Sequence, residues 1–240
     1  MPVKMTFRRP RTASAGTARR RAALALVATV LCAPAALRAA EGSFGVQAGA
    51  ALPQGSAKNW TGSGPGFAVD LTETFSLDLN QSLRMRLGYL SYQGIGPRTE
   101  SLAVPGAAYA DFPVASNNQL YQFSYGLDYL RSWSPGFYLG AGTGLAYLTA
   151  SRSGTVNLAS AGAQTVNYRY DSNKLTPYLS VSAGYAFTSS IALEARYQLA
   201  TLGGQVRQVD LSQAGYSSPA QVAVPSITAS TLVLGLVVTF

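Results

Sequence analysis

Past residue 40 the chain alternates apolar with polar or small side chains at a period of two, segment after segment, each bounded by Gly, Pro, Ser or Asn. That period belongs to pleated sheet with two unlike faces, and it excludes an amphipathic helical fold. No helix-period stretch and no apolar run near twenty residues follows residue 40, so a helical membrane span is not expected there. Eight segments carry the pattern. In "LRMRLGYLSYQ", Leu83, Met85, Leu87 and Tyr89 oppose Arg84, Arg86 and Gly88; in "IALEARYQLA", Ile191, Leu193, Ala195, Tyr197 and Leu199 oppose Ala192, Glu194, Arg196 and Gln198. The others begin at "GSFGVQAGAAL", "GFAVDLTETFSL", "QLYQFSYGLDYLR", "GFYLGAGTGLAYLTA", "LTPYLSVSAGYAF" and "TLVLGLVVTF".

A soluble sandwich also alternates, with its apolar face turned inward. Three features favour the inverse arrangement, a closed barrel with its apolar face outward. The polar faces consist mostly of small residues with isolated charges, which suits a narrow enclosed space rather than a solvated surface. The connections alternate long and short, the short ones being "DLNQS", "SWSPG" and "FTSS", as in barrels with periplasmic turns and long outer loops. Aromatic residues gather near strand ends, with Phe75, Trp133, Phe137 and Phe187 expected in the inner girdle and Tyr89, Tyr121 and Tyr147 in the outer one. The predicted fold class is all-β: a closed antiparallel up-and-down transmembrane β-barrel of eight strands.

Upstream, basic residues precede the apolar run "AALALVATVLCAPAALRAA", which is short, broken at Pro34 and ends in small residues. This is the pattern of a secretory signal peptide over 1–39, with Leu37 and Ala39 at the positions a signal peptidase inspects, leaving a barrel domain over 40–240. Eight of the 18 basic residues lie before residue 40, and the ten that follow match the ten carboxylates, so the net charge of +8 belongs to the leader. A nucleic-acid surface is therefore not expected. The only cysteine, Cys32, lies within the leader, and histidine is absent throughout, which removes thiol nucleophiles, disulfides and the usual transition-metal ligands.

The last ten residues are uncharged and rich in β-branched side chains, a strand able to close a barrel whose open edge would otherwise leave unpaired backbone in lipid. Gly235, Val238 and Phe240 resemble the C-terminal assembly signal of the small OmpA/OmpX-like outer-membrane β-barrels, with Val233 where that signal often has a polar residue. "YLGAGTGLAY" and "LEARYQLA" also read like strands of that family. The resemblance implies a location in the outer membrane of a Gram-negative bacterium, amid outer-membrane lipid and lipopolysaccharide, after delivery to the barrel-assembly machinery. It implies no periplasmic peptidoglycan-binding domain, since nothing follows Phe240.

Alternation turns six charges inward: Asp70 near mid-height, and Arg84, Arg86, Asp128, Glu194 and Arg196 in the periplasmic half. Three cations facing three anions in a low-dielectric bore should pair with one another, because an unpaired charge there costs several kcal/mol. Such a set either gates a small conductance or fills an interior that is only wide enough for side chains. Glu73 is turned toward lipid beside Leu71 and Phe75. Enzymes among small outer-membrane barrels of this size use a histidine beside a serine or an aspartate, and none is available. Ser151, Ser153, Ser217 and Ser218 read as loop serines, and Glu100 and Asp111 lie in a connection that fixes no geometry. No cofactor or metal site is expected.

Two outer connections, "TVNLASAGAQTVNYRY" and "GGQVRQVDLSQAGYSSPAQVAV", keep alternating and are expected to project as sheet, with edges able to recruit a strand. The Gly-, Pro- and Ala-rich "GIGPRTESLAVPGAAYADFPVASNN" reads instead as an irregular loop. The expected function is non-catalytic, in envelope integrity or in adhesion to an extracellular protein or host ligand through the outer loops. The alternatives are a narrow pore for small solutes and, less favoured, modification of lipid A.

Overall fold

The computed structural model describes residues 42–103, 109–134, 136–158, 164–210 and 219–240. Residues 1–39, expected to be a signal peptide and containing Cys32, lie outside the described residues. The sheet runs β1 (Gly42–Gln54), β2 (Gly66–Asp78), β3 (Gln81–Ala103), β4 (Tyr109–Ser134), β5 (Phe137–Leu158), β6 (Gln164–Ala186), β7 (Ile191–Leu202), β8 (Gln205–Val209), β9 (Ala220–Val224) and β10 (Ile227–Thr239). A short helix, α1 (Gly55–Thr61), joins β1 to β2.

Every neighbouring pair in the wall is antiparallel. The wall closes where β1 meets β10, with Val46 facing Val238 and Leu52 facing Leu232. This is the closure that the uncharged C-terminal strand favours, since it satisfies both sheet edges. The ten segments are eight strands in substance. Leu202 faces Ile227 and Gln205 faces Val224, so β7 with β8 and β9 with β10 hold one register across the interruptions at 203–204 and 225–226. Pro225, lacking an N–H, sits in one of those interruptions.

Side-chain direction follows the alternation. Phe123, Leu145, Leu193 and Leu236 are about half exposed on the outer face, while Arg84, Arg86 and Arg196 are at most 3% exposed within. An apolar belt outside a charged interior is the inverse of a soluble core and is stable where the outer face meets acyl chains. Trp133, Phe137 and Phe187 are exposed near the end that carries the tight turns, and Tyr185 packs against Phe187 with ring centroids 5.3 Å apart. At the other end Tyr89 bridges Phe67 at 5.6 Å and Phe123 at 4.7 Å. Phe75 departs from its expected place in the exposed girdle. It is buried, with its ring over the Cα of Gly42, where the absence of a side chain leaves room for it. Glu73 lies on the outer face between Phe44 and Met85, half-buried.

The strands are unequal. β1, β2, β7 and β10 hold 12 or 13 residues, whereas β3 to β6 hold 22 to 26. About ten residues suffice to cross the bilayer core, so β3 to β6 continue well beyond it. "GIGPRTESLAVPGAAYADFPVASNN", expected to be an irregular loop, is strand over 94–103 and 109–118, because cross-strand pairing from Gly94↔Asn118 up to Ala103↔Tyr109 overrides its Gly and Pro content. The β1–β2 hairpin ends low, at α1. Above it, β9 leans onto the vacated edge of β3 through Leu102↔Val222 and Ala103↔Gln221. The wall thus passes from eight strands to six: β3, β4, β5, β6, β8 and β9.

Candidate functional site: a charged lower lumen under an apolar upper lumen

The interior divides by height. Toward the tight turns it is ionic. Arg86 is the hub: its Nη2 lies 2.7 Å from Asp128 Oδ2 and 3.1 Å from Glu194 Oε1, and its Nη1 lies 3.0 Å from Asp70 Oδ2. The same Nη1 donates to Gln47 Oε1 at 2.6 Å. Arg84 reaches Glu194 Oε2 at 2.7 Å and Asp128 Oδ2 at 3.2 Å, and Arg196 reaches Asp70 Oδ2 at 2.8 Å. Ser180 and Tyr138 donate further hydrogen bonds to Asp128 and Glu194. The structure therefore brings together all six residues singled out by alternation: Asp70, Arg84, Arg86, Asp128, Glu194 and Arg196.

The physical reason is parity. β3 places Arg84 and Arg86 on successive inward positions, directly opposite Asp128 and Gly126 of β4. Long side chains then lie across the bore where the wall is bare. A Cβ on Gly142 would overlap Asp128 Oδ1, so glycine is what lets that carboxylate lie flat against β5. The six charges balance formally, and each is desolvated only together with its partners, the condition under which burial of ions is tolerated. The arrangement fixes strands that are not neighbours: β7 is tied to β3 through Glu194 and to β2 through Arg196.

The upper lumen is apolar. Leu90, Tyr92, Leu120, Leu148, Tyr178, Leu202, Ile227 and Val233 form one buried cluster with Ala57 and Trp60 of α1. Helix α1 sits where the β1–β2 hairpin stops, between Gly55 (φ 54°) and Gly62 (φ 89°), backbone conformations that favour glycine. Ser56 is bonded to Thr228 of β10 in both directions, by Oγ to the carbonyl and by the Thr228 N–H to Oγ, while Thr61 O packs on the Cα of Gly94 in β3. Trp60 crosses the bore, and Arg152 of β5 stacks 4.0 Å from its ring centroid. Asn118 links the two, donating to Trp60 O at 3.0 Å and accepting from Arg152 Nε at 2.7 Å. Tyr92 OH bonds Thr231 Oγ1 across the lumen at 2.6 Å.

Sequence reasoning missed this upper layer. A seven-residue helix leaves no periodic signal, and Leu90, Leu120 and Leu148 each stand beside an outward tyrosine, Tyr89, Tyr121 and Tyr147, which blurs the alternation there. Arg152 was legible in part, since it prolongs the inward series Gly144, Ala146, Leu148 and Ala150.

The remaining residues weighed from sequence form no site. Ser151 is bonded to Asp171 across β5 and β6. Ser153 faces Arg169 in the same pair of strands. Ser217, Ser218 and the side chains of Glu100 and Asp111 lie outside the described residues. Among the described residues no group of three His, Cys, Asp or Glu is placed to hold a metal ion. Gly235 and Val238 lie on β10 and Phe240 directly follows it, with Gly235 facing inward against Gln47 and Val238 paired with Val46. The Phe240 N–H continues the ladder to Phe44 O at 2.8 Å.

No protein-family model matches the sequence, and no curated protein matches it. Solved structures do match. A major outer membrane protein from Thermus thermophilus superposes with a TM-score of 0.50 at 16% identity, over 83% of this chain and all (100%) of that one. Ail, the attachment invasion locus protein of Yersinia pestis, gives 0.43 at 9% identity over 83% and 97%, and Neisserial surface protein A gives 0.40 at 16% over the same shares. At these identities the likeness is one of architecture. The chain has the fold of the small eight-stranded outer-membrane β-barrels.

Proposed function

We propose that this chain is an exported, non-catalytic barrel of the bacterial outer membrane whose extension above the bilayer is its working surface, serving adhesion to an extracellular protein or host ligand and the integrity of the envelope. The observation that carries this reading is the extension itself. β3 to β6 run on past the membrane zone, and β9 with β8 pairs onto the outer part of β3, around the buried residues Tyr168, Tyr170, Val209, Ala220 and Val222. A paired sheet with a packed inner face presents an ordered surface, which lowers the ordering entropy a partner must overcome. The absence of histidine and the mutual pairing of the six lumenal charges support a non-catalytic role. Delivery by the barrel-assembly machinery and residence amid lipopolysaccharide belong to the same reading.

The test shortens the outer hairpins in a variant that still shows heat-modifiable migration, then compares its surface exposure and its binding to host cells and matrix proteins with the full chain. Loss of binding with the barrel intact supports adhesion. Equal binding leaves envelope integrity, read as detergent sensitivity, as the remaining role.

A further inference from the structure

The wall has one seam. β6 pairs with β7 from Ala186↔Ala192 up to Tyr178↔Ala200, and there the ladder ends, although β6 extends another 14 residues outward to Gln164 and β7 leads directly into β8. Pro177 stands at the break. It has no N–H to offer the next rung, so a strand bonded on one side to β5 loses its neighbour on the other. Beyond Pro177 no ladder joins β6 to β8 among the described residues. The two remain adjacent: a Cβ on Gly203 would lie 3.6 Å from Lys174 Nζ.

The seam begins at the height of the outer aromatic girdle, because Leu175, 60% exposed, faces Tyr147. It is also the place where a polar stripe enters the apolar upper lumen. Ser172, Lys174 and Thr176 take successive inward positions on β6, opposite Ala150, Leu148 and Ala146 of β5. Ser172 is fully buried with its hydroxyl unpartnered, whereas Lys174 is of inward parity yet exposed, as it must be where the wall is open beside it. Across the seam lies Leu202, fully buried in the cluster that holds Leu148 and Trp60. A hydroxyl, an ammonium and a hydroxyl on one edge, with apolar walls behind them, form a head-and-tail recognition surface at the depth of lipid headgroups.

We propose that β6 and β8 part at Pro177 to admit an anionic single-chain amphiphile of the fatty-acid type from the outer leaflet, its carboxylate held by Lys174 and Ser172 and its chain lying against Leu148, Leu202 and Trp60. The proposal is independent of the adhesive reading, which concerns the outer surface.

Trp60 supplies the readout. In a Trp133→Phe variant reconstituted in phosphatidylcholine vesicles, Trp60 is the only indole, and dibromostearate quenches it on contact. Saturable quenching is expected, with methyl dibromostearate about tenfold weaker for want of the charge-assisted hydrogen bond, and with that preference lost in Lys174→Ala. Carried upward, the β6–β7 register sets Leu175 opposite Gly203, both of outward parity. The Leu175→Cys/Gly203→Cys pair, in a Cys32→Ser background, should abolish quenching when oxidised and restore it on reduction. Heat-modifiable migration checks that each variant is folded, and the reduced form serves as the control for the lock. Unquenched Trp60 in the reduced protein, equal quenching in the locked protein, or an acid-over-ester preference that survives Lys174→Ala would each overturn the proposal.

Discussion

Arg196 on β7 places its Nη2 2.8 Å from Asp70 Oδ2 on β2, across a bore whose wall between them is β10 and β1. The pair joins the two sides of the closure seam from within, so it guards the contact that makes the barrel a closed object. Removing Asp70 leaves Arg196 buried without its ion-pair partner, and removing Arg196 leaves Asp70 to Arg86 alone and the lumenal charges unbalanced. Arg196→Met and Asp70→Asn should each lower stability by about 3–5 kcal/mol, with the double variant much less affected than their sum. Urea unfolding in lipid vesicles measures all three, and additive losses would show that the pair does not act as a unit.

Gly142 admits Asp128 against β5. Gly142→Val should displace that carboxylate from Arg86 and lower stability by about 1–3 kcal/mol through overpacking and loss of pairing. Gly64→Ala, where a Cβ meets open space, should change stability by less than about 0.5 kcal/mol and serves as the control in the same titration.

Arg86 contacts three carboxylates from three different strands, and the salt bridges together cross the section of the lumen. Planar-bilayer recordings of the intact protein should therefore be silent across voltage. Resolved openings would mean that the ionic layer does not block the bore and would revive the narrow-pore alternative.

Trp60 is 3% exposed and lies beneath Arg152, whereas Trp133 is exposed on the outer face. Fluorescence of the Trp133→Phe variant should resist iodide and acrylamide, and that of Trp60→Phe should respond to brominated phospholipids in the surrounding bilayer. Trp60→Ala should lower stability by about 3–5 kcal/mol as the upper lumen loses its largest filler.

Restoring an N–H at the break tests what Pro177 does. In Pro177→Ala the β6–β7 ladder should extend past Tyr178, and hydrogen exchange at Leu175 and Thr201, whose N–H groups face across the seam, should slow by about tenfold or more, as expected for new cross-strand bonds. Unchanged exchange would assign the break to the Gly203–Gly204 segment.

What was legible in the sequence follows from how locally each feature is written. Inward and outward faces are fixed by parity alone, which is why Arg84, Arg86, Asp128, Glu194, Arg196 and Asp70 were found before any contact was known. Strand length above the membrane was not legible at Gly94 to Ala103, since pairing with β4 decides it and the Gly and Pro content argues the other way. Phe75 escaped because its burial depends on Gly42, a residue distant in sequence. Helix α1 escaped because it is too short for periodicity, and its Trp60 is held by Asn118 and Arg152, which only the closed barrel brings near.

The transfer of β9 onto β3 gives the barrel a bottle's outline, a wide belly of eight strands and a six-staved neck above it. Tyr168 and Tyr170 line that neck, so traffic along the axis meets aromatic rings beside Arg152 well before the ionic layer. In such a vessel the flank between β6 and β8, where no ladder closes the wall, is where the staves are least tightly bound.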